Sequence, residues 1–176
     1  KSARMGHDVV MTPGNYMYFD FYQADPKTQP YAIGGYTPIK KVYSYNPIPV
    51  DSLTAEESKH IMGVQANTWT EYIPNEQHLE YMMFPRALAL AEIAWSPQEK
   101  REWNDFKPRM NAHISKLQQM GINTFTLSDE LEVTMKVDTV SKQIEVYLDA
   151  EKYPAEIRYT TDGTVPTASS TVYDGM

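Results

Sequence analysis

The segment Ile61 to Trp95 constrains this chain more than any other. A short apolar stretch, Ile61 to Ala66, turns polar and aromatic at Asn67, Trp69 and Glu71, and a long periodic segment follows that ends in Phe84-Pro-Arg-Ala-Leu-Ala-Leu-Ala-Glu-Ile-Ala-Trp95. The first run reads as a strand and the second as a helix with one apolar face. An aromatic plate and a carboxylate therefore leave the strand together at its C-terminal end. In an α/β barrel that end forms the substrate-binding mouth. Trp69 offers an apolar face to a sugar ring and Glu71 accepts hydrogen bonds from hydroxyls, a pairing suited to a glycan subsite.

The rest of the chain extends this pattern. Val9 to Met11 reads as a short buried strand, stopped by Thr12-Pro13-Gly14-Asn15, which cannot continue a ladder. Residues 23 to 50 hold five prolines and Gly34-Gly35, with a short helical possibility at Thr37 to Tyr45; irregular connections of this length are usually functional. Asp51-Ser-Leu-Thr-Ala-Glu-Glu is a helix-start signal. Asn75 to Trp95 has helical spacing, but Pro85 predicts a break near Phe84. Phe106 to Met120 reads as an amphipathic helix ended by Gly121. This alternation of strand, loop and helix predicts a parallel barrel of which two of eight units are present. Beyond Gly121 the period changes to two: Leu131, Val133, Met135 and Val137, then Ile144, Val146 and Leu148, predict antiparallel strands with one wet face. Ile157 to Thr160 adds another strand. The boundary is expected at Asn123, giving domains 1–123 and 124–176.

Bulk properties narrow the function classes. The net charge of −7 and the lack of a Lys/Arg-rich run argue against nucleic acid or an anionic membrane as partner. Cysteine is absent, which removes disulfides and thiolate metal sites. His7, His60, His78 and His113 have no spacing suited to metal ligation. No apolar run approaches the roughly 20 residues of a membrane-spanning helix. The chain begins without an initiator Met or signal-peptide pattern and stops at Tyr173-Asp-Gly-Met176, so both ends read as those of a piece of a larger protein.

Three motifs, VVMTPGNYMYFD, GVQANTWTEYI and EYMMFPRALALAEIAWS, resemble in order and spacing the last part of the catalytic barrel of family 20 glycoside hydrolases, the β-N-acetylhexosaminidases. The resemblance covers roughly residues 5 to 122. A weaker one, IRYTTDGTVPTASSTVYDG, is to the small β-domain that often follows the barrel in bacterial members. Together they imply an α/β plus β fold: the C-terminal quarter of a TIM (β/α)8 barrel followed by a small, truncated antiparallel β-sandwich.

The resemblance also implies chemistry. Family members hydrolyse with retention, the substrate's own 2-acetamido carbonyl attacking the anomeric carbon. Tyr18 would donate its hydroxyl to that carbonyl, Asp20 would accept from a sugar hydroxyl, Trp69 would wall the acetamide pocket and Glu71 would bind the 4-hydroxyl or a neighbour. The bland alternatives are a packed loop tyrosine for Tyr18, a turn residue for Asp20, core for Trp69 and a solvated charge for Glu71. The family's general acid lies in a His-x-Gly-Gly-Asp-Glu run. The one Asp-Glu pair here, Asp129-Glu130, follows Leu127-Ser128 without glycines and reads as a turn before a strand. Arg86 is expected to pair with Glu92 or a loop carboxylate as structure. The tyrosines Tyr16, Tyr22, Tyr31, Tyr36, Tyr43 and Tyr45 either extend a glycan platform or pack against barrel loops.

The expected whole protein removes terminal β-linked N-acetylglucosamine or N-acetylgalactosamine without metal or organic cofactor. Its partners are an N-acetylhexosamine-containing glycan and the remaining N-terminal part of the same enzyme. A periplasmic, cell-surface or secreted bacterial location is implied by the resemblance alone. This chain by itself is expected to be inactive. The competing reading is a non-catalytic glycan-binding module.

Overall fold

The computed structural model describes residues 1–49, 51–129 and 131–175. They divide into two compact units, one running from Lys1 to Thr126 and one from Leu127 onward. The first extends three residues past Asn123 because the segment after the last helix is tied down. The Asn123 N–H donates to Glu80 Oε2 (2.8 Å), Gln118 Nε2 donates to Thr124 Oγ1 (2.9 Å), and the Phe125 N–H donates to the Phe84 carbonyl (3.0 Å).

In the first unit, β1 (Val9–Met11) gives way at Pro13 to a single helical turn, α1 (Gly14–Met17). The proline-rich stretch then crosses to α2 (Ile39–Ser44). Helix α3 (Ala55–Ser58) starts with a capping box: Thr54 Oγ1 accepts from the Glu57 N–H, and Glu57 Oε2 accepts from the Thr54 N–H. Strand β2 (Ile61–Val64) lies parallel to β1, with Val9 opposite Ile61, Val10 opposite Gly63 and Met11 opposite Val64. This strand pair is less enclosed than the sequence predicts, since Val10 and Met62 are exposed.

The helices follow the apolar spacing. Helix α4 (Glu76–Met83) is capped by Asn75, whose side chain accepts from the His78 N–H. Phe84 is extended because a residue preceding proline is sterically excluded from the helical region, and α5 (Arg86–Trp95) begins directly after Pro85. The last helix, α6 (Trp103–Gln119), buries Phe106, Met110 and Ile114 at intervals of four, and Gly121 leaves it in the left-handed region. Tyr43 of α2 stacks on Phe106 at 4.7 Å. Met17, Phe19, Ile39, Val42, Met82, Ala89 and Ile93 also belong to the core. Among the described residues no helix is long and apolar enough to cross a membrane.

In the second unit, β3 (Leu131–Asp138) and β4 (Gln143–Ala150) form an antiparallel hairpin. Val133 faces Leu148, Met135 faces Val146 and Val137 faces Ile144, so one face is apolar, and Glu132, Thr134 and Lys136 line the other. Asp138 organises the turn by accepting from the Val140 N–H and the Ser141 hydroxyl. Strands β5 (Arg158–Tyr159) and β6 (Thr171–Val172) form a second, two-residue pair. The alternation predicts one wet face, yet Val133, Met135, Val137 and Ile144 of the apolar face are exposed as well. Two sheets of two strands have too little surface to close a sandwich core, and among the described residues none is closed.

Candidate functional site

Parallel pairing places the C-terminal ends of β1 and β2 on one side, so the loops leaving them run together. The ladder in fact continues past both strands. The Gln65 N–H donates to the Met11 carbonyl (3.0 Å), and after the α1 turn the Asn67 N–H donates to Met17 (2.8 Å) and the Phe19 N–H to Asn67 (2.7 Å). Tyr18 and Asn67 thereby form an isolated parallel bridge. Side chains polarise the same seam: Gln65 Nε2 donates to Asn67 Oδ1 (2.9 Å), and Asn67 Nδ2 to Thr12 Oγ1 (3.1 Å).

Beyond the bridge Asp20 sits in a turn, the Phe21 N–H donating to the Tyr18 carbonyl (3.4 Å), and the Trp69 backbone lies close enough to act on its carboxyl. Asp20 is 5% exposed. Burial raises its pKa first of all; its own and the Trp69 backbone N–H groups and the Arg86 charge pull it down, and Glu71 pushes it up again. Asp20 Oδ1 has no hydrogen-bond partner among the described residues. The turn aspartate of the sequence is thus an inward-facing acceptor with one oxygen unused. The Tyr18 ring lies over Gly14, where an added Cβ would sit 3.7 Å from it, and against Phe21 at 5.5 Å. Trp69 is 52% exposed, so it is a surface plate and not core, and Glu71 is exposed close enough to Asp20 to act on its charge. All four sequence-selected residues, Tyr18, Asp20, Trp69 and Glu71, lie on these two adjoining loops.

Other expectations are corrected. Glu92 does not pair with Arg86; it forms a two-pronged ion pair with Arg109 of α6 at 2.7 and 2.9 Å. That partner holds its carboxyl below the usual range. Arg86 is wholly buried and donates to backbone carbonyls. The sequence did contain a signal: Arg86, Ala89 and Ile93 form the buried stripe of α5, so a charge stands on its core face. The tyrosines divide. Tyr43 and Tyr45 are buried, Tyr16 packs on Tyr45 at 5.0 Å, and the Tyr22 hydroxyl accepts from the Ala32 N–H. Tyr31 is exposed and meets Tyr72 edge-on at 5.0 Å, and Tyr36 is exposed as well. Asp129 pairs with Lys152 Nζ at 2.7 Å, as a surface turn residue would; Glu130 and Met176 lie outside the described residues. No group of histidines and carboxylates able to hold a metal occurs among the described residues.

Comparison with known proteins gives this geometry a context. Residues 1–98 match the model of the glycosyl hydrolase family 20 catalytic domain, and residues 135–176 match the chitobiase/β-hexosaminidase C-terminal domain. A β-hexosaminidase of Porphyromonas gingivalis is 37% identical over 174 residues, which is 98% of this chain and 22% of that protein. The solved structure of a family 20 exo-β-N-acetylglucosaminidase from Vibrio harveyi in complex with N-acetylglucosamine is 33% identical. It superposes with a TM-score of 0.62 over 70% of this chain and 20% of that one. A family 20 β-N-acetylhexosaminidase from Streptomyces coelicolor gives a TM-score of 0.63 at 26% identity, over 72% of this chain and 25% of that one. The chain thus spans about a fifth to a quarter of the length of the relatives it matches. With more than half of its residues under the catalytic-domain model and the two strand-end loops converging as described, the chain belongs to glycosyl hydrolase family 20.

Proposed function

We propose that this chain is the C-terminal part of an exo-acting β-N-acetylhexosaminidase that removes terminal β-linked N-acetylglucosamine or N-acetylgalactosamine with retention. The observation that carries the reading is Asp20 Oδ1, a buried acceptor without a partner among the described residues, set beside the exposed Trp69. Leaving a buried acceptor unpaired costs about 1–3 kcal/mol, and a sugar hydroxyl is a donor of matching chemistry. An aromatic plate next to a carboxylate acceptor favours a pyranose over a charged or extended ligand.

In this mechanism the substrate's acetamide carbonyl oxygen attacks the anomeric carbon as the glycosidic bond breaks, and an oxazolinium-like intermediate forms. Tyr18 donates its hydroxyl to that oxygen, holding it in line and stabilising the developing charge. Trp69 covers the acetamide and keeps water from it. Asp20 and Glu71 accept from ring hydroxyls and fix the non-reducing end. The leaving-group oxygen takes its proton from an acid contributed by polypeptide other than this chain, since the His-x-Gly-Gly-Asp-Glu run does not occur in this sequence. The first unit is then the last two βα units of the barrel with a closing helix, and the second the start of the β-domain, divided near residues 123–126. The alternative, a module that grips sugar without cleaving it, shares the same four residues and differs only in kinetics.

The test is hydrolysis of an aryl N-acetyl-β-glucosaminide by the longer polypeptide that contains this chain. Tyr18→Phe should lower kcat more than it raises KM, because its hydrogen bond strengthens as charge develops on the carbonyl. Glu71→Gln should weaken ground-state and transition-state binding alike. The 176-residue chain alone should show no turnover, as general acid catalysis is typically worth about 10² to 10⁴ in rate. Unchanged kcat in Tyr18→Phe would rule the mechanism out.

A further inference from the structure

The guanidinium of Arg86 is fully enclosed, and its five N–H donors make five hydrogen bonds, all to backbone carbonyls. Nε and Nη2 donate to Met82 (3.1 and 2.5 Å), Nη1 to Phe21 and Thr37 (3.0 and 3.1 Å), and Nη2 also to Phe19 (2.5 Å). Its carbon lies 4.8 Å from the centre of the Phe19 ring. Two of the four carbonyls, Phe19 and Phe21, flank Asp20, and Phe19 follows Tyr18. With every donor committed to neutral carbonyls, none remains for a carboxylate, and the charge stays uncompensated by a direct ion pair. Burial lowers the Arg86 pKa to about 9, and Asp20 is the largest influence pulling it back up, ahead of Tyr81. An arginine needed only to fill space would not be worth its desolvation.

We propose that Arg86 is the positioning residue of the candidate sugar site: it fixes the Tyr18–Asp20 segment through the Phe19 and Phe21 carbonyls, so that the Tyr18 hydroxyl and the Asp20 carboxyl are held in place for a sugar, and from the same enclosed position its charge acts on Asp20. The inference rests on the reading of Tyr18 and Asp20 as sugar-binding groups. The charged groups acting on Asp20 are Arg86 from α5 and Glu71 from the loop after β2, and the two oppose each other. Lysine can replace the charge but not the planar five-donor fork.

The experiment uses the longer polypeptide that contains this chain, native and with Arg86→Lys or Arg86→Gln, with ¹³C NMR titration of the Asp20 carboxyl, amide hydrogen exchange, and N-acetylglucosamine as probe read at the Trp69 indole. Arg86→Gln should raise the Asp20 midpoint, and Arg86→Lys should leave it near the native value. In Arg86→Lys the Phe19 and Asn67 amides should exchange at least about tenfold faster, with Ile93 and Met110 unchanged. Equal Asp20 midpoints in all three proteins would overturn the proposal. So would a uniform loss of protection across α5 and α6 in Arg86→Lys, which also decides the matter if Arg86→Gln does not fold. Should the titration and exchange behave as expected while the native longer polypeptide shows no response to N-acetylglucosamine, it is the sugar-site reading that fails.

Discussion

Gly35→Ala tests how tightly the long proline-rich loop is fitted to the candidate site. Gly35 has φ of 65°, and a Cβ built there would stand 2.2 Å from Phe21 Cδ2 and 2.5 Å from Phe21 Cγ. The left-handed conformation costs an L-residue about 1–2 kcal/mol. The overlap adds to this, since Cγ is the root of the ring and cannot swing aside without moving the whole side chain. Forcing such a shift in a packed region costs about 1–3 kcal/mol. Gly6 provides the control: its φ is 78°, with nothing within 4 Å of the added Cβ, so Gly6→Ala carries the conformational cost alone. The entropy that alanine removes from the unfolded chain is common to both and cancels. Gly35→Ala should therefore be less stable than Gly6→Ala by about 1–3 kcal/mol, a shift in urea midpoint on the order of 1 M. The assay is urea unfolding followed by tryptophan fluorescence, which reports the first unit because Trp69, Trp95 and Trp103 all belong to it. Phe21 rests on the Tyr18 ring at 5.5 Å, so the displaced ring should also shift the Tyr18 resonances. Adding Phe21→Ala to Gly35→Ala should recover part of the loss, as contacting sites are coupled. Coincident midpoints for Gly35→Ala and Gly6→Ala would refute the packing argument.

Other perturbations reach other parts of the molecule. Arg109→Met should cost about 0.5–1 kcal/mol at neutral pH, because Glu92 is mostly shielded but Arg109 is half-exposed. Glu92's folded pKa is depressed below the ordinary 4.5, so this contribution is present above that value and disappears as pH falls through the folded pKa; pH-dependent melts of the two proteins should converge in acid. Met110→Ala, at a side chain with no exposed surface, should lower stability by about 2–5 kcal/mol in the same fluorescence assay. Exposed Val10 and Met62 on the strand pair should make the isolated chain self-associate, so light scattering should give a mass above the 20.2 kDa monomer.

Local patterns in the sequence were enough to locate most elements. Thr54 with Glu57 announced α3, the residue before Pro85 marked the break between α4 and α5, and the period-two alternation of Leu131 to Leu148 marked the hairpin, because each depends on neighbours within a few positions. The motif order likewise singled out Tyr18, Asp20, Trp69 and Glu71 before any coordinates. What these residues experience was not legible, because it depends on partners distant in the chain. Asp20 reads as a turn residue or a sugar-hydroxyl acceptor, but that it is buried and lies beside the Trp69 backbone follows only from the pairing of Phe19 with Asn67, 48 positions away. Arg86 reads as half of a helical ion pair with Glu92, six residues on. Only the assembled core shows that Glu92 turns instead to Arg109, while the carbonyls of Phe19, Phe21, Thr37 and Met82 gather around the guanidinium. Periodicity reports which side of a helix is apolar. Which carbonyl, charge or ring meets that side is decided by tertiary packing, and at this site packing sets both the surroundings of Asp20 and the place of Tyr18.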